Sequence, residues 1–584
     1  MKIWESKLEN SEVSQGPAFL SWPRPLRDFI QSRGFSDDQD FERFLKSDLQ
    51  SLKNPFSIKG MSEACSRLEK AYLDKEKICI YADFDLDGTS GCALLKKAFD
   101  QLGYQDVMAY QPKRLKQGYG FHAPIVDELK SQGVSLIVTC DVGITANKAC
   151  SRARELGVDV ILTDHHLPSQ ELPEAFIIVN PNQPEDSSGL GYLSGAGVAF
   201  YLVRALKRRF TDLGWESAQA LNLKDILDCF TIATITDMVP LIEDNRVLTQ
   251  VGLKVLSQTQ RPGLQVLLQQ LGLQGKVLSS SDVAIRFAPK LNALSRLEGE
   301  VLPLDIYLEE SFQKAYSVIE FVMAQNAARG ELQSQALKVA EEIILEQKHS
   351  NFHFVHSEQF HRGVLGLIAT SLVEQTQKPC FVASLDPEEG KLVGSCRVPD
   401  SMEISLVEAL ESASQGLLRF GGHAQAAGFE LHVSEIENVK SALHNYFSLL
   451  RPKISKCFFD SVVQFEELNW ELVNSMNQLE PFGVGFESPV FLVRNLQVIS
   501  IKLLKSRHLK VQFKCSHSGI VKTGLLFSPN PRQSELIRSK VPLDLIVQVQ
   551  VNEWKGQKDI QLLVDDVRQA EPLVTAAQSE SELR

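Results

Sequence analysis

The 584 residues contain no apolar run near the roughly 20 that span a bilayer, and the start, Met1-Lys2-Ile3-Trp4-Glu5, lacks the basic-then-apolar order of a secretory signal. A cytoplasmic protein with no membrane partner is expected. No two of the ten cysteines form a CxxC pair, and Cys79, Cys140 and Cys229 sit inside apolar runs. That points to buried, reduced thiols rather than disulfides or a zinc site. Basic residues are not in excess either: a net charge of -12 argues against indiscriminate nucleic-acid binding. There is no internal repeat, and the composition, 43% hydrophobic and 23% charged, is that of an ordinary globular chain. Only the Ser/Glu-rich end, Ala576 to Arg584, calls for disorder. The length exceeds what one hydrophobic core serves, so three or more domains are expected.

Against this background, residues 81 to 91, YADFDLDGTSG, place Asp83, Asp85 and Asp87 in a row. The run before them, Lys77-Ile78-Cys79-Ile80, reads as a buried strand, and Cys92 to Phe99 reads as a helix. The acids therefore lie at a strand's carboxyl end, where open α/β sheets bind ligands. Like charges this close repel unless a cation or proton intervenes. A helix-loop-helix calcium site is excluded, because the twelfth position counted from Asp83 is Leu94 rather than glutamate.

Strand-like and helical runs alternate from about Ile78 to Asp237. Leu136 to Thr139, Val158 to Leu162 and Ile177 to Val179 read as strands, Ala196 to Phe210 and Ile226 to Ile235 as helices, which predicts a parallel sheet flanked by helices. Phe312 to Gln347 is long and helix-favouring, interrupted only by Gly330, and suits a connector between two lobes. A second α/β pattern follows, with strands at Phe352 to Val355 and Cys380 to Ser384 and a helix at Val364 to Glu374. After Pro452 the texture becomes short alternating runs, among them Val462 to Phe465, Val498 to Ile501, Leu509 to Phe513, Leu545 to Val551 and Ile560 to Val564, which suggest a small barrel. Positive charge is segregated there: Arg494 to Lys540 holds ten Lys/Arg against the single acid Glu535, a net of +9.

Acids recur at three more element exits: Asp141-Val142-Gly143, Asp164-His165-His166 and Thr236-Asp237. Singly, an aspartate after a strand is often a helix cap and a histidine pair often a surface loop. Together, carboxylates with one or two imidazoles suit manganese or magnesium better than zinc. Two ions are expected, since a carboxylate shared by cations about 3.5–4 Å apart serves to activate water against a phosphate.

These four motifs, in order and spacing, resemble those of the DHH phosphoesterase superfamily. Pro112-Lys113-Arg114 before Gly118-Tyr119-Gly120, Pro289-Lys290-Leu291-Asn292-Ala293, His361-Arg362-Gly363-Val364-Leu365-Gly366, Gly394-Ser395-Cys396-Arg397 and Gly421-Gly422-His423 narrow the resemblance to its RecJ family of bacterial single-strand-specific exonucleases, over about residues 50 to 570. The resemblance places Asp85, Asp87, Asp141, His165 and Asp237 on metal-ligand positions. Asp83 and Asp164 match acids that either ligate or support, and His166 lies near the scissile phosphate, where it stabilises charge or transfers a proton. It also implies a Gly421-Gly422-His423 segment facing the metals across a cleft, a 5′-phosphate anchor at Ser395 and Arg397, and Arg114 and Arg296 along the strand path. Tyr119 either stacks on a base or packs beside glycine. Arg507, His508, Lys510, Lys514 and Lys522, around Phe513, match the family's OB-fold, which holds single strands by charge and stacking. Three departures stand out. Tyr81 occupies a position where some superfamily members carry a metal-binding histidine, Ser295 stands where glycine is common, and Phe486 where asparagine is.

The expected architecture is two α/β lobes joined by a long helix, plus a small all-β OB barrel. Its parts are an N-terminal segment (1–50), a DHH domain (51–250), a connecting helical region (251–349), a DHH-associated domain (350–450), an OB-fold (455–570) and a disordered tail (571–584). Within residues 1–50, Trp22-Pro23 and Phe41 to Phe44 read as packing on the first lobe rather than guiding DNA. The expected function is a monomeric, manganese- or magnesium-dependent exonuclease of DNA repair and recombination. It would take single-stranded DNA 5′ end first between its lobes and release 5′-mononucleotides, with a helicase and a single-strand-binding protein as candidate partners. Two alternatives are a small-substrate phosphoesterase of the same superfamily, which would lack the barrel, and a non-catalytic binding protein, which would lack some of the acids.

Overall fold

Ile78–Ala82 (β1), Leu136–Cys140 (β3) and Asp159–Thr163 (β4) are apolar on both faces because both faces are covered. Ile78, Ile80, Leu136 and Val138 enter one core, while Cys79, Tyr81, Ile137 and Val160 enter another on the opposite side. With Val107–Tyr110 (β2) and Ile177–Val179 (β5) they form an all-parallel sheet of order β2-β1-β3-β4-β5. The crossover direction reverses between β1 and β3, which makes their carboxyl ends the switch point where ligands bind in such sheets. Helices Leu86–Leu102 (α1), Gly195–Asp212 (α2) and Leu227–Thr236 (α3) pack on the first face.

The computed structural model describes residues 3–8, 20–35, 37–46, 48–113, 120–294, 301–347, 350–399, 402, 404–449, 456–505, 507–554 and 556–570. The expected tail, 571–584, lies outside them. The chain divides into two units, Lys46–Arg329 with Glu480–Glu487, and Met1–Leu45 with Gly330–Leu479 and Ser488–Arg584. Residues 251–311, expected to connect lobes, instead extend the core of the parallel-sheet unit through Leu264, Leu267, Ile306 and Tyr307. The long helix Phe312–Leu345 (α4) runs unbroken through Gly330.

The second unit contains a mixed sheet of His353–Ser357 (β6), Cys380–Asp386 (β7), Lys391–Arg397 (β8), Arg419–Gly422 (β9) and Ala426–His432 (β10), in the order β9-β10-β8-β7-β6. Only β6 and β7 are parallel. It also contains a six-stranded barrel built from Ser461–Val463 (β11), Phe491–Leu504 (β12), His508–Cys515 (β13), Val521–Leu526 (β14), Leu543–Trp554 (β15) and Gln557–Gln569 (β16). Pairing of β12 with β15 closes it.

The N-terminal residues pack on this barrel unit, not on the first lobe as expected. Ile3–Ser6 pairs in parallel with Lys456–Phe459, Trp4 Nε1 donates to Asp566 at 2.9 Å, and Arg24 forks onto Glu467 at 2.7 and 3.2 Å. Buried Asp460 gathers Ser32 Oγ and Arg33 at 2.9 Å and the Val490 amide at 2.8 Å. The sequence signal for this docking was weak because its partners lie more than 400 residues away. Replacing Asp460 with alanine removes the buried carboxylate that Ser32, the largely buried Arg33 and the Val490 amide share, so urea unfolding of the barrel unit should show a loss of about 3 kcal/mol. A loss under about 1 kcal/mol, the range of exposed pairs, would contradict this.

Candidate metal centre and phosphate cradle

The three acids after β1 divide their tasks. Asp85 is the N-cap of α1, its Oδ1 accepting from the amides of Asp87 (2.9 Å) and Gly88 (3.0 Å). Asp87 is buried, and its two oxygens accept from the first amides of α2, Gly195 at 2.6 Å and Ala196 at 2.8 Å. A helix N-terminus thus orients a carboxylate delivered by another helix. Asp83 is buried beside them, packed so closely that a Cβ on Gly88 would lie 2.6 Å from its amide nitrogen.

Asp141, at the exit of β3, is held at φ +64°, a left-handed conformation that aspartate adopts at a cost and that recurs at functional sites. Asp164 is fully buried, and its Oδ1 accepts from the His165 amide (2.8 Å) and the His166 amide (3.1 Å), its Oδ2 from Ile144 (2.9 Å). The same Oδ1 lies 2.7 Å from His166 Nδ1. These bonds turn both Asp164 oxygens toward the backbone and His166. Asp237 follows α3 as its C-cap.

Side chains from all four motifs converge. His165 Nε2 lies 3.2 Å from Asp141 Oδ1, 3.5 Å from Asp237 Oδ2 and 3.8 Å from Asp87 Oδ2. Three overlapping groups have ligand atoms within 4.8 Å of one another: Asp83, Asp85 and Asp141; Asp87, His165 and Asp237; and Asp141, His165 and His166. Burial, then the neighbouring carboxylates, hold Asp141 well above the usual carboxylate range and push Asp237 up to about 8. Burial likewise raises Asp87, against the pull of His165. Burial lowers His166, but the bond to Asp164 prevails and brings it up to about 9. Asp141 Oδ1 and His165 Nε2 are buried and make no hydrogen bond among the described residues. Repelling acids with unsatisfied ligand atoms fit divalent cations. Tyr81, at the position of a missing histidine ligand, is structural: it is buried, stacks on Tyr110 at 5.5 Å and donates to the Gly120 carbonyl at 2.9 Å.

In the second unit, Arg397 donates through one nitrogen to Ser395 Oγ (2.9 Å) and the Cys396 carbonyl (2.8 Å), and has no carboxylate partner among the described residues. Gly366, at the start of helix Leu365–Thr376, makes room: a Cβ there would meet Arg397 at 2.9 Å and Ser395 at 3.4 Å. The result is a half-buried guanidinium and hydroxyl beside a helix N-terminus, a combination suited to phosphate. Gly421, Gly422 and His423 form an exposed hairpin tip closed by the His423 amide on the Ala426 carbonyl (2.8 Å). Gly422, at φ +144°, is required by that turn, whereas Gly421 faces open space.

On the barrel, Lys510 and Lys514 point outward from β13 while Phe513, between them in the alternation, is fully buried. Phe513, around which these basic residues were expected to gather, is a core residue of the barrel. Lys522 pairs in register with Phe513, so it takes the opposite face from Lys510, with Nζ 5.5 Å from the Phe465 ring. His508 Nδ1 accepts from the Ser528 amide at 3.0 Å, and Arg507 is its neighbour at 3.3 Å. Lys502, which sequence reasoning missed, is the cross-strand partner of Lys510, and both line a groove of about 760 Å³ with Ser500, Leu504, Gln512 and Asn552. Arg114, Tyr119 and Arg296 lie outside the described residues.

Family models describe three stretches: the N-terminal domain of the DHH family matches residues 77–234, the DHHA1 domain 349–449 and the RecJ OB domain 459–566. The single-stranded-DNA-specific exonuclease RecJ of Salmonella typhimurium is 30% identical over 576 residues, covering 96% of this chain and 98% of its own. This chain belongs to the RecJ family. It is a single-stranded-DNA-specific exonuclease, a hydrolase of phosphodiester bonds. RecJ of Bacillus subtilis is 31% identical over 551 residues, covering 93% of this chain and 67% of the relative. Among solved structures, that of Thermus thermophilus RecJ in complex with Mn2+ superposes with a TM-score of 0.79 at 27% identity, covering 98% of this chain and 80% of that one. Its Mg2+ complex gives 0.73 at 25% identity, with coverage of 98% and 79%. The RecJ OB barrel and the full set of motif acids set aside both alternatives weighed from the sequence.

Two glycines are the sharpest tests of this geometry. A Cβ on Gly195 would lie 2.6 Å from Asp141 Oδ1, so Gly195→Ala should weaken Mn2+ binding by about tenfold or more in calorimetry while the circular dichroism spectrum is kept. Gly366→Ala should lower affinity for 5′-phosphorylated single strands more than for 5′-hydroxyl strands in a binding titration; equal losses would contradict the cradle.

Proposed function

We propose that this RecJ-family exonuclease degrades single strands from the 5′ end and releases 5′-mononucleotides. It does so with two divalent cations, manganese or magnesium, held by Asp83, Asp85, Asp87, Asp141, His165 and Asp237. The observation that carries this reading is the pair of buried, unsatisfied ligand atoms, Asp141 Oδ1 and His165 Nε2, at the centre of the converging acids. The ions in the two Thermus thermophilus RecJ structures support the choice of metals. Divalent cations at such a site ease the deprotonation of water and neutralise charge on a phosphate under attack.

The chain's own residues supply the rest. Asp164 fixes His166 through Nδ1 and keeps its imidazole charged near neutral pH, so the other nitrogen can donate to a phosphate oxygen or protonate the leaving group. Ser395 and Arg397 hold the terminal 5′-phosphate, with the Gly421-Gly422-His423 tip offering further donors. Lys502, Lys510 and Lys514 follow the strand's backbone by charge, without base preference. Unwound DNA is the substrate class, so a helicase and a single-strand-binding protein suit the upstream role in repair and recombination.

The test uses one long single strand labelled at its 5′ end, the same strand labelled at its 3′ end, and the blunt duplex, each with Mn2+. Early release of the 5′ label from the single strand, late release of the 3′ label, and an inert duplex are expected. Asp141→Ala should lower the rate by at least about a thousandfold, the scale on which losing an essential charged group acts. Early release of the 3′ label would reverse the polarity, and an unchanged rate for Asp141→Ala would overturn the metal assignment.

A further inference from the structure

Eight residues before β12, Glu480–Glu487, belong to the parallel-sheet unit although the chain on both sides belongs to the barrel unit. They form a tight turn closed by reciprocal bonds between Gly483 and Phe486, both at 3.0 Å. The turn seats on the segment leaving Asp237. The amide of Leu241, four residues after Asp237, donates to the Val484 carbonyl at 2.7 Å. The Leu241 side chain is buried over Gly483, where a Cβ would lie 2.6 Å from its Cδ1. Gly485, at φ +79°, is looser: a Cβ there would lie 3.2 Å from Ile242 and 3.5 Å from Pro240.

The floor beneath is equally specific. Arg246 is almost wholly buried, donates to the Pro481 carbonyl at 2.8 Å and lies 4.6 Å over the Phe486 ring, which stacks on Phe482 at 5.7 Å. Ser280 Oγ bonds the Phe482 carbonyl. Neighbouring Asn245 donates to the Pro240 carbonyl at 3.0 Å and to Tyr192 at 2.7 Å. Between Asp237 and this clamp stand only Met238, at φ +59° and largely exposed, and Val239 and Pro240. Asp237 itself is the C-cap of α3, and the next helix, Glu243–Ser257, begins six residues on. Its direction is therefore set from one side by α3 and from the other by the Leu241 segment, which the turn and the helix Glu243–Ser257 hold together.

We infer that Glu480–Glu487 is a positioning strap for Asp237, with Gly483 and Arg246 as its key residues. A segment covalently continuous with the DNA-binding barrel unit thereby tunes the metal affinity of the catalytic unit. The inference rests on the proposed role of Asp237 as a ligand. One corollary is that deleting everything after Pro452 removes part of the catalytic unit along with the barrel, so such a truncation does not isolate the barrel's contribution.

The test measures Mn2+ binding to the full chain, without DNA, by the electron paramagnetic resonance signal of free Mn2+. Gly483→Ala should weaken binding by about tenfold, the effect typical of losing a ligand's supporting contact, and adding Leu241→Ala, which vacates the space, should restore most of it. Leu68→Ala, in the core of the parallel-sheet unit, should lower the melting temperature and leave the binding curve alone. Should Gly483→Ala fold poorly, Arg246→Met, which keeps the glycine but loses the bond to Pro481, should weaken binding likewise. Unchanged Mn2+ binding in the strap variants, with Asp237→Ala weakened, would overturn the strap. Unchanged binding in Asp237→Ala would instead overturn the ligand role on which the strap depends.

Discussion

Mutual repulsion among buried carboxylates is the constraint on which the rest of this protein depends. Asp83, Asp87 and Asp141 are nearly inaccessible to water, and at effective interior dielectrics such charges oppose folding strongly unless a cation is present. Each is therefore over-determined by backbone rather than by mobile side chains. The α2 amides hold Asp87, a left-handed backbone turn aims Asp141, and Asp164 gives its lone pairs to the turn that presents both histidines. The sheet's switch point brings the two strand exits together, and glycines at 88 and 195 let the elements approach closely enough. Binding of the proposed cations would consequently be linked to local folding.

The same physical device recurs in the second unit at smaller scale. A glycine at the start of a helix admits a guanidinium against the helix N-terminus, and the cation rather than a carboxylate is left with open valence. One unit thus gathers unneutralised negative charge and the other an uncompensated positive group. This difference in sign fits the roles proposed for them, cations at one and phosphate at the other.

Much of this was legible in the sequence. Strand exits and acids coincide because a parallel sheet fixes where a strand's last residue points, and β-branched runs mark those strands clearly. The barrel was visible in alternation, and the apolar set of β13, Leu509, Val511 and Phe513, is its buried face. The closeness of Gly366 to Arg397 and the seating of Gly483 on Leu241 were not legible, since each is a contact between separate elements with no local periodicity. The N-terminal residues were misplaced for the same reason.

That N-terminal strand has a bearing on how the molecule is made. Ile3–Ser6 and the helix Arg24–Ser32 bind to residues between Lys456 and Arg568. At roughly 5–20 residues per second on the ribosome, their partners emerge on the order of a minute later. During that interval the helix Arg24–Ser32, whose Phe29 and Ile30 are fully buried in the finished molecule, waits for Ser461–Val463 and the helix Trp470–Leu479 on which it packs. The first part of the chain to leave the ribosome is thus among the last to fold, while the parallel sheet assembles in between.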